Sequence, residues 1–197
     1  MDKWKAISDS IQASPKYIKV LPSEPYLAEK AAEAFAIPAE STLGAVISNC
    51  GGIVVENRLR IYGAGAVDIR ERNKMYRAGV TVVAEDIFGG LFFIAEDGLI
   101  QYFAPDTLAP EETDLSYSEF LFWAVTGDTD SFYESFSYNG WSADADTLSD
   151  SSGISFYPPP WTAEGKDAEK CSRCVIPMRE LIGMELDIRS LLEKGQN

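Results

Sequence analysis

Few residues in this chain have the type and spacing for chemistry, and their context excludes more than it supports. Cys171-Ser-Arg-Cys174 is the one CxxC pair, and Cys50 is the only other cysteine. A closed zinc site takes four nitrogen or sulfur ligands, and the chain contains no histidine to complete one. A redox CxxC belongs between a strand and a helix near the start of a βαβ unit, which this context is not. The pair is expected to be incidental surface thiol with no bound metal. The absence of histidine also removes His-based triads and dyads. Three cysteines, an odd count without an apolar export signal in MDKWKAISDS, predict reduced thiols rather than a disulfide framework.

Gly63-Ala-Gly65 follows RLRIY as a phosphate loop would, but the third glycine is missing and no GK[ST] occurs. A strand-end turn is the expectation. Asp106, Glu111, Glu112, Asp114, Asp128 and Asp130 lie close in sequence, as an acid/base pair could. Catalytic carboxylates need surroundings that separate their pKa values, whereas these flank Pro, Thr or Ser as capping residues do. The run from Asp128 to Ser131 lacks the spaced oxygens and central glycine of an EF-hand loop. No catalytic residue, metal or cofactor is predicted.

Charge is the more informative feature. The chain has 31 Asp/Glu against 17 Lys/Arg, a net of −14, so a nucleic-acid backbone is excluded as a partner. Residues 78–165 carry 16 acids and no Lys or Arg at all, which accounts for the whole imbalance. That stretch is also rich in Phe, Tyr and Trp, so its acids are expected to decorate a folded surface. They serve either as a solubilising face or as a face that steers a basic partner. The candidate rim charges are Asp106, Asp128, Asp130, Asp144 and Asp146, and the candidate anchors are Trp141 and Trp161. Trp161, after three prolines, is the best placed of the aromatics to line a groove.

The elements that must position these residues follow from periodicity. Trp4, Ile7 and Ile11 share a helical face over 3–13, and Leu27, Ala31, Ala34 and Phe35 share one over 26–36 after Pro25. LGAVIS, GIVV and RLRIYG are β-branched runs that predict strands, and 67–77 is polar, with a short helix possible there. Residues 80–84, 89–94 and 99–103 predict consecutive antiparallel strands, with Asp97-Gly98 as a hairpin turn. Helices are expected after Pro110: one behind a Ser116/Glu119 capping box, apolar nearly all round and therefore buried, and one capped by Asp128. Residues 142–153 predict a polar loop, GISFY the last strand, 163–173 a surface loop and 177–194 a C-terminal helix. No stretch reaches the about 18–20 apolar residues of a membrane helix.

The segments STLGAVISNCGGI, RLRIYGAG, VAEDIFGGLFFI, IQYFAPDTL, YSEFLFWAVTGDTDSFYESF and GISFYPPPWT, in this order, resemble a bacterial family known only as a domain of unknown function. The resemblance spans most of 40–162, with a weaker echo at IPMREL. Where members usually carry a tryptophan and an acid after PDTL, Ala109-Pro110-Glu111 stands here, which predicts a different local turn. More loosely, the layout resembles the SUKH (Smi/Knr-like) superfamily of α+β domains, many of which are immunity proteins against secreted toxins. That resemblance implies a protein partner.

Taken together, the sequence predicts one α+β domain over 1–197. It comprises a helical part (1–40), a core with a central, mostly antiparallel sheet (42–162), and a loop with a C-terminal helix (163–197). The expected product is a cytoplasmic, non-catalytic binding protein with a basic protein partner, such as a toxin domain, and no nucleic acid or membrane. Two alternatives stay open: a histidine-independent enzyme using carboxylates, or a small-ligand module with an aromatic groove.

Overall fold

A computed structural model describes residues 2–76 and 80–195. Arg77, which ends the polar 67–77 stretch, and the first two residues of the 78–165 segment lie outside the described residues. Asp2 accepts from the amides of Trp4 and Lys5 and so caps α1 (Lys3–Ala13). A four-residue strand, β1 (Ile18–Leu21), precedes α2 (Pro25–Ala34), which carries its proline in the first turn.

The LGAVIS run, expected as a strand, is instead helix α3 (Thr42–Asn49). Ser41 Oγ accepts from Gly44 N at 2.8 Å, and Leu43, Val46 and Ile47 fall on one buried helical face. The cap and the three-four spacing outweigh the β-branched composition, since propensity is a weak prior against packing.

From there the chain builds a meander: β2 (Gly52–Val55), β3 (Leu59–Tyr62), the short helix α4 (Ile69–Asn73), then β4 (Thr81–Asp86), β5 (Leu91–Ile94), β6 (Leu99–Ala104) and β7 (Ala109–Ser116). With β1 these strands form a seven-stranded antiparallel sheet in strict sequence order. The expected β4–β5–β6 meander is present, turning at Gly98, whose φ of 84° suits glycine. Gly63 and Gly65 sit in the turn after β3, where Gly63 bridges to Asp68.

β7 is a strand that the sequence did not predict ahead of the Ser116/Glu119 capping box. Its consecutive residues Pro110, Glu111 and Glu112 are exposed and its register slips opposite Ile100/Gln101, marks of an edge strand. The capping box then forms as expected at α5 (Tyr117–Thr126), with Ser116 and Glu119 bonded reciprocally. That helix is not buried all round: Phe122 is 61% exposed.

Asp128 caps α6 (Thr129–Phe132), followed by a 3-10 turn at Glu134–Phe136. The polar 142–153 stretch, expected as loop, begins with helix α7 (Trp141–Thr147). β8 (Ser152–Tyr157) is not the last strand, because β9 (Ser172–Pro177) pairs with it antiparallel and takes in the end of the supposed surface loop. α8 (Met178–Gly195) closes the described chain.

The main core packs the sheet against α1, α2, α3, α5 and the first half of α8, with Phe92, Phe120, Ile47 and Ile182 at its centre. A smaller aromatic cluster, in which Phe88 stacks on Phe136 at 5.4 Å, joins the β4–β5 turn to α7 and β8. The result is a single α+β domain. Among the described residues, no helix is long and apolar enough to cross a membrane.

Candidate functional site

The β2–β3 connection is the three residues Glu56, Asn57 and Arg58, of which Glu56 and Asn57 take positive φ, 53° and 52°, the twist a tight hairpin requires. This turn delivers Glu56, Asn57 and Arg58 together to the region where α6 and α7 meet the sheet edge. Arg58 is 1% exposed. Its Nη2 donates to Asp130 Oδ1 at 2.9 Å, Glu56 Oε2 at 3.0 Å and Thr129 Oγ1 at 3.1 Å. Its guanidinium lies between two rings, 4.6 Å from the centroid of Tyr133 and 4.4 Å from that of Trp141. Thr129 completes the knot: its hydroxyl donates to Glu56 at 2.9 Å and accepts from Lys16 Nζ at 2.9 Å. Burial holds the Lys16 ammonium below the usual lysine range, against the pull of Glu56.

Outside this knot lies an open groove of about 570 Å³, lined by Tyr17, Lys19, Glu56, Asn57, Asp130, Trp141, Ser142 and Asp146. Gly140, at φ 92°, turns the chain into α7 and sets Trp141 as the wall of the groove. A relay crosses its floor: Lys19 Nζ donates to Asn57 Oδ1 at 2.9 Å, and Asn57 Nδ2 donates to Asp146 Oδ1 at 2.6 Å. The site has two aromatic walls, three carboxylates and one ammonium. Part of this charge is met from within the protein: Glu56 and Asp130 both pair with Arg58, and Lys19 lies over the Tyr17 ring.

Of the residues singled out in the sequence, the structure brings Asp130, Trp141 and Asp146 into this groove. Asp128 and Asp144 are exposed on the neighbouring helices, where they serve local structure. Asp128 accepts from Ser131 N and Oγ, which holds its carboxyl below the usual range, and Asp144 accepts from Tyr138 at 2.7 Å. Asp106, half-buried in the β6–β7 turn, and Trp161, half-buried against the main core, lie outside the groove's lining. Sequence reasoning missed Tyr17, Lys19, Asn57 and Arg58. All four precede the acidic segment, as does Glu56, which sequence reasoning also did not single out.

The acids of the 78–165 segment are not all on the surface, contrary to expectation: Glu85 and Asp86 are both 0% exposed. Adjacent strand residues face opposite sides of the sheet, so each acid finds its own partners. Glu85 pairs with Arg72 Nη1 at 2.9 Å and Arg60 Nη1 at 3.5 Å, and accepts from Tyr62 at 2.7 Å. Arg60 and Arg72 also donate to the carbonyls of Ser149 and Asp150, tying that loop to the sheet.

Asp86 accepts from Tyr102 at 2.8 Å and from the amides of Phe88 and Gly90 at 2.9 Å, while burial pushes its carboxyl up. Glu185 of α8, 1% exposed, lies against Gly89, and its Oε2 has no hydrogen-bond partner. Burial and the neighbouring Asp86 push the Glu185 carboxyl well above the ordinary range.

Cys50 and Cys171 are buried and Cys174 is exposed, all as free thiols, and burial raises the Cys50 thiol to about 11. Cys171 donates to the carbonyls of Asp167 and Pro158 at 3.4 and 3.5 Å, so it is a packed thiol rather than a surface one. Among the described residues, no group of three or more His, Cys, Asp or Glu side chains is placed to hold a metal ion.

No solved structure matches the chain. It is similar to a putative uncharacterised protein, YbfG, of Escherichia coli strain K12, at 32% identity over 94% of this chain and 91% of that one. It is also similar to an uncharacterised protein of Haemophilus influenzae, at 27% identity over 79% of this chain and 76% of the relative. The family model for the protein of unknown function DUF2625 matches residues 2–181, and the chain belongs to that family.

Proposed function

We propose that this protein acts by binding rather than by catalysis, and that the groove between β1, the Glu56-Asn57 turn and α7 docks a basic segment of a protein partner. The observation that carries this reading is the gathering of Glu56, Asp130 and Asp146 around the walls formed by Tyr17 and Trp141. Carboxylates at an aromatic surface favour a guanidinium or ammonium through charge and ring quadrupole together. The net charge of −14 supports it, because the field of the whole molecule draws a basic partner in. The loose likeness of layout to SUKH domains supplies the biological form, an immunity-type protein held against a basic toxin domain in the cytoplasm. Fold-level likeness is an analogy and carries no site.

Isothermal titration with an arginine-rich peptide, at about 50 and 300 mM salt, tests the reading because exposed charges are screened within a few ångströms at the higher salt. Binding is expected at low salt, weakened at high salt, and weakened by about tenfold or more in Trp141→Ala, the hot-spot range for an interface tryptophan. Equal binding of a glutamate-rich peptide, or no effect of Trp141→Ala, would overturn it.

A further inference from the structure

The two edges of the seven-stranded sheet are built differently. β7 is guarded: Pro110 removes a donor, Glu111 and Glu112 face solvent, the register slips opposite Ile100/Gln101, and Asp114 breaks the strand with φ 57°. β1, though only four residues long, has no proline, register slip or positive φ within it. It hydrogen-bonds only to β2 within the sheet, Val20 is 43% exposed and Tyr17, just before it, 59%. Its one lysine, Lys19, is drawn aside onto Asn57 Oδ1 at 2.9 Å.

The backbone is also turned the right way. The carbonyl of Tyr17 accepts from the amide of Glu56, facing β2. In an antiparallel ladder the direction alternates, so Ile18 and Val20 present N–H and C=O to the open edge. Tyr17 and Lys19 line the acidic groove, and side chains alternate along a strand, so Val20 faces the other side.

We propose, building on the groove reading above, that the basic partner docks as an extended strand added to the free edge of β1. Its basic side chains alternate into the groove toward Glu56, Asp130 and Asp146, and its intervening apolar side chains cover Val20. A second copy of this chain fits less well. Antiparallel self-pairing through the outward-facing Ile18 and Val20 pairs each with the other and sets Lys19 directly opposite its own copy, like charges face to face.

The probe is an acetylated, amidated peptide of alternating arginine and valine, titrated into the full chain and followed by amide hydrogen exchange. The amides of Ile18 and Val20 are expected to gain protection at saturation. Val20→Pro, which deletes one outward N–H, should weaken binding by about tenfold, while Val20→Thr, which keeps it, should change binding by less than about twofold. Peptide that binds, loses affinity with salt and responds to Trp141→Ala while leaving the Ile18 and Val20 amides unprotected would overturn strand addition and leave the groove reading intact. Unchanged affinity in a folded Val20→Pro variant would do the same. Peptide that does not bind at all would overturn both. If Val20→Pro does not fold, the exchange of Ile18 and Val20 in the unmodified protein decides the matter alone.

Discussion

Glu185→Gln is expected to make the protein more stable, increasingly so as pH rises. The Glu185 carboxyl lies in the interior against Gly89: a methyl group built there would collide with both carboxylate oxygens. No cation pairs with it among the described residues, Oε2 accepts no hydrogen bond, and Asp86 adds like charge. The folded state therefore favours the protonated acid. A carboxyl whose folded pKa lies above its unfolded one binds more protons when folded. Stability is then full below the ordinary carboxyl range and falls as pH rises toward the folded value. Within that window one such group removes up to about 1.4 kcal/mol per pH unit. Wild-type protein should thus lose stability between pH 5 and pH 7, by up to about 1.4 kcal/mol per pH unit, that Glu185→Gln retains. Asp86 pushes in the same direction, but three hydrogen bonds to its carboxylate oppose its burial, so it adds less. Urea unfolding of both proteins at pH 5, 6, 7 and 8 reads the difference directly. Curves that stay a constant distance apart would refute the assignment of a buried, protonated Glu185.

Two further perturbations probe the interior. Arg72→Met leaves Glu85 buried with the Tyr62 hydroxyl and, as its cation, only Arg60 at 3.5 Å, and should cost about 3–5 kcal/mol, the range for breaking a buried ion pair from one side. Thermal melts would show it, and a loss under about 1 kcal/mol would mean the pair is not desolvated. Gly89→Ala must both adopt φ 103° and displace the Glu185 carboxyl, so it should destabilise by about 1–3 kcal/mol or more. A neutral outcome in the same melts would place α8 elsewhere.

Local signals that agreed with packing were legible in the sequence. The β4–β6 meander follows from Asp97-Gly98 and the apolar runs on either side of it, and α5 from Ser116 and Glu119 three residues apart. Where composition and packing conflict, composition misleads. α3 is rich in strand formers yet buries Leu43, Val46 and Ile47 on a helical stripe, and β7 hides under a proline and three acids because edge strands favour those residues. The site was half legible. Asp130, Trp141 and Asp146 could be picked out because the acidic, aromatic segment holds them. Their partners could not, because Tyr17, Lys19 and Arg58 arrive from the N-terminal third through sheet pairing that no local pattern announces. The burial of Glu85 and Asp86 was equally invisible, since the arginines that neutralise Glu85 lie 25 and 13 residues upstream.

The central claim is that an acidic groove receives a basic partner, and the association rate of an arginine-rich peptide tests it most directly. Stopped-flow measurement across ionic strength should show a rate that falls steeply with salt, because steering fields decay within about 8–10 Å at physiological salt. Neutralising Asp128, Asp144 and Asp146 together to asparagine keeps one acceptor oxygen at each position while removing three charges from the groove and the helices beside it. This should lower the on-rate while changing the off-rate little. An on-rate independent of salt, or one unchanged in the triple variant, would contradict the account and leave the acids of residues 78–165 without a role in binding.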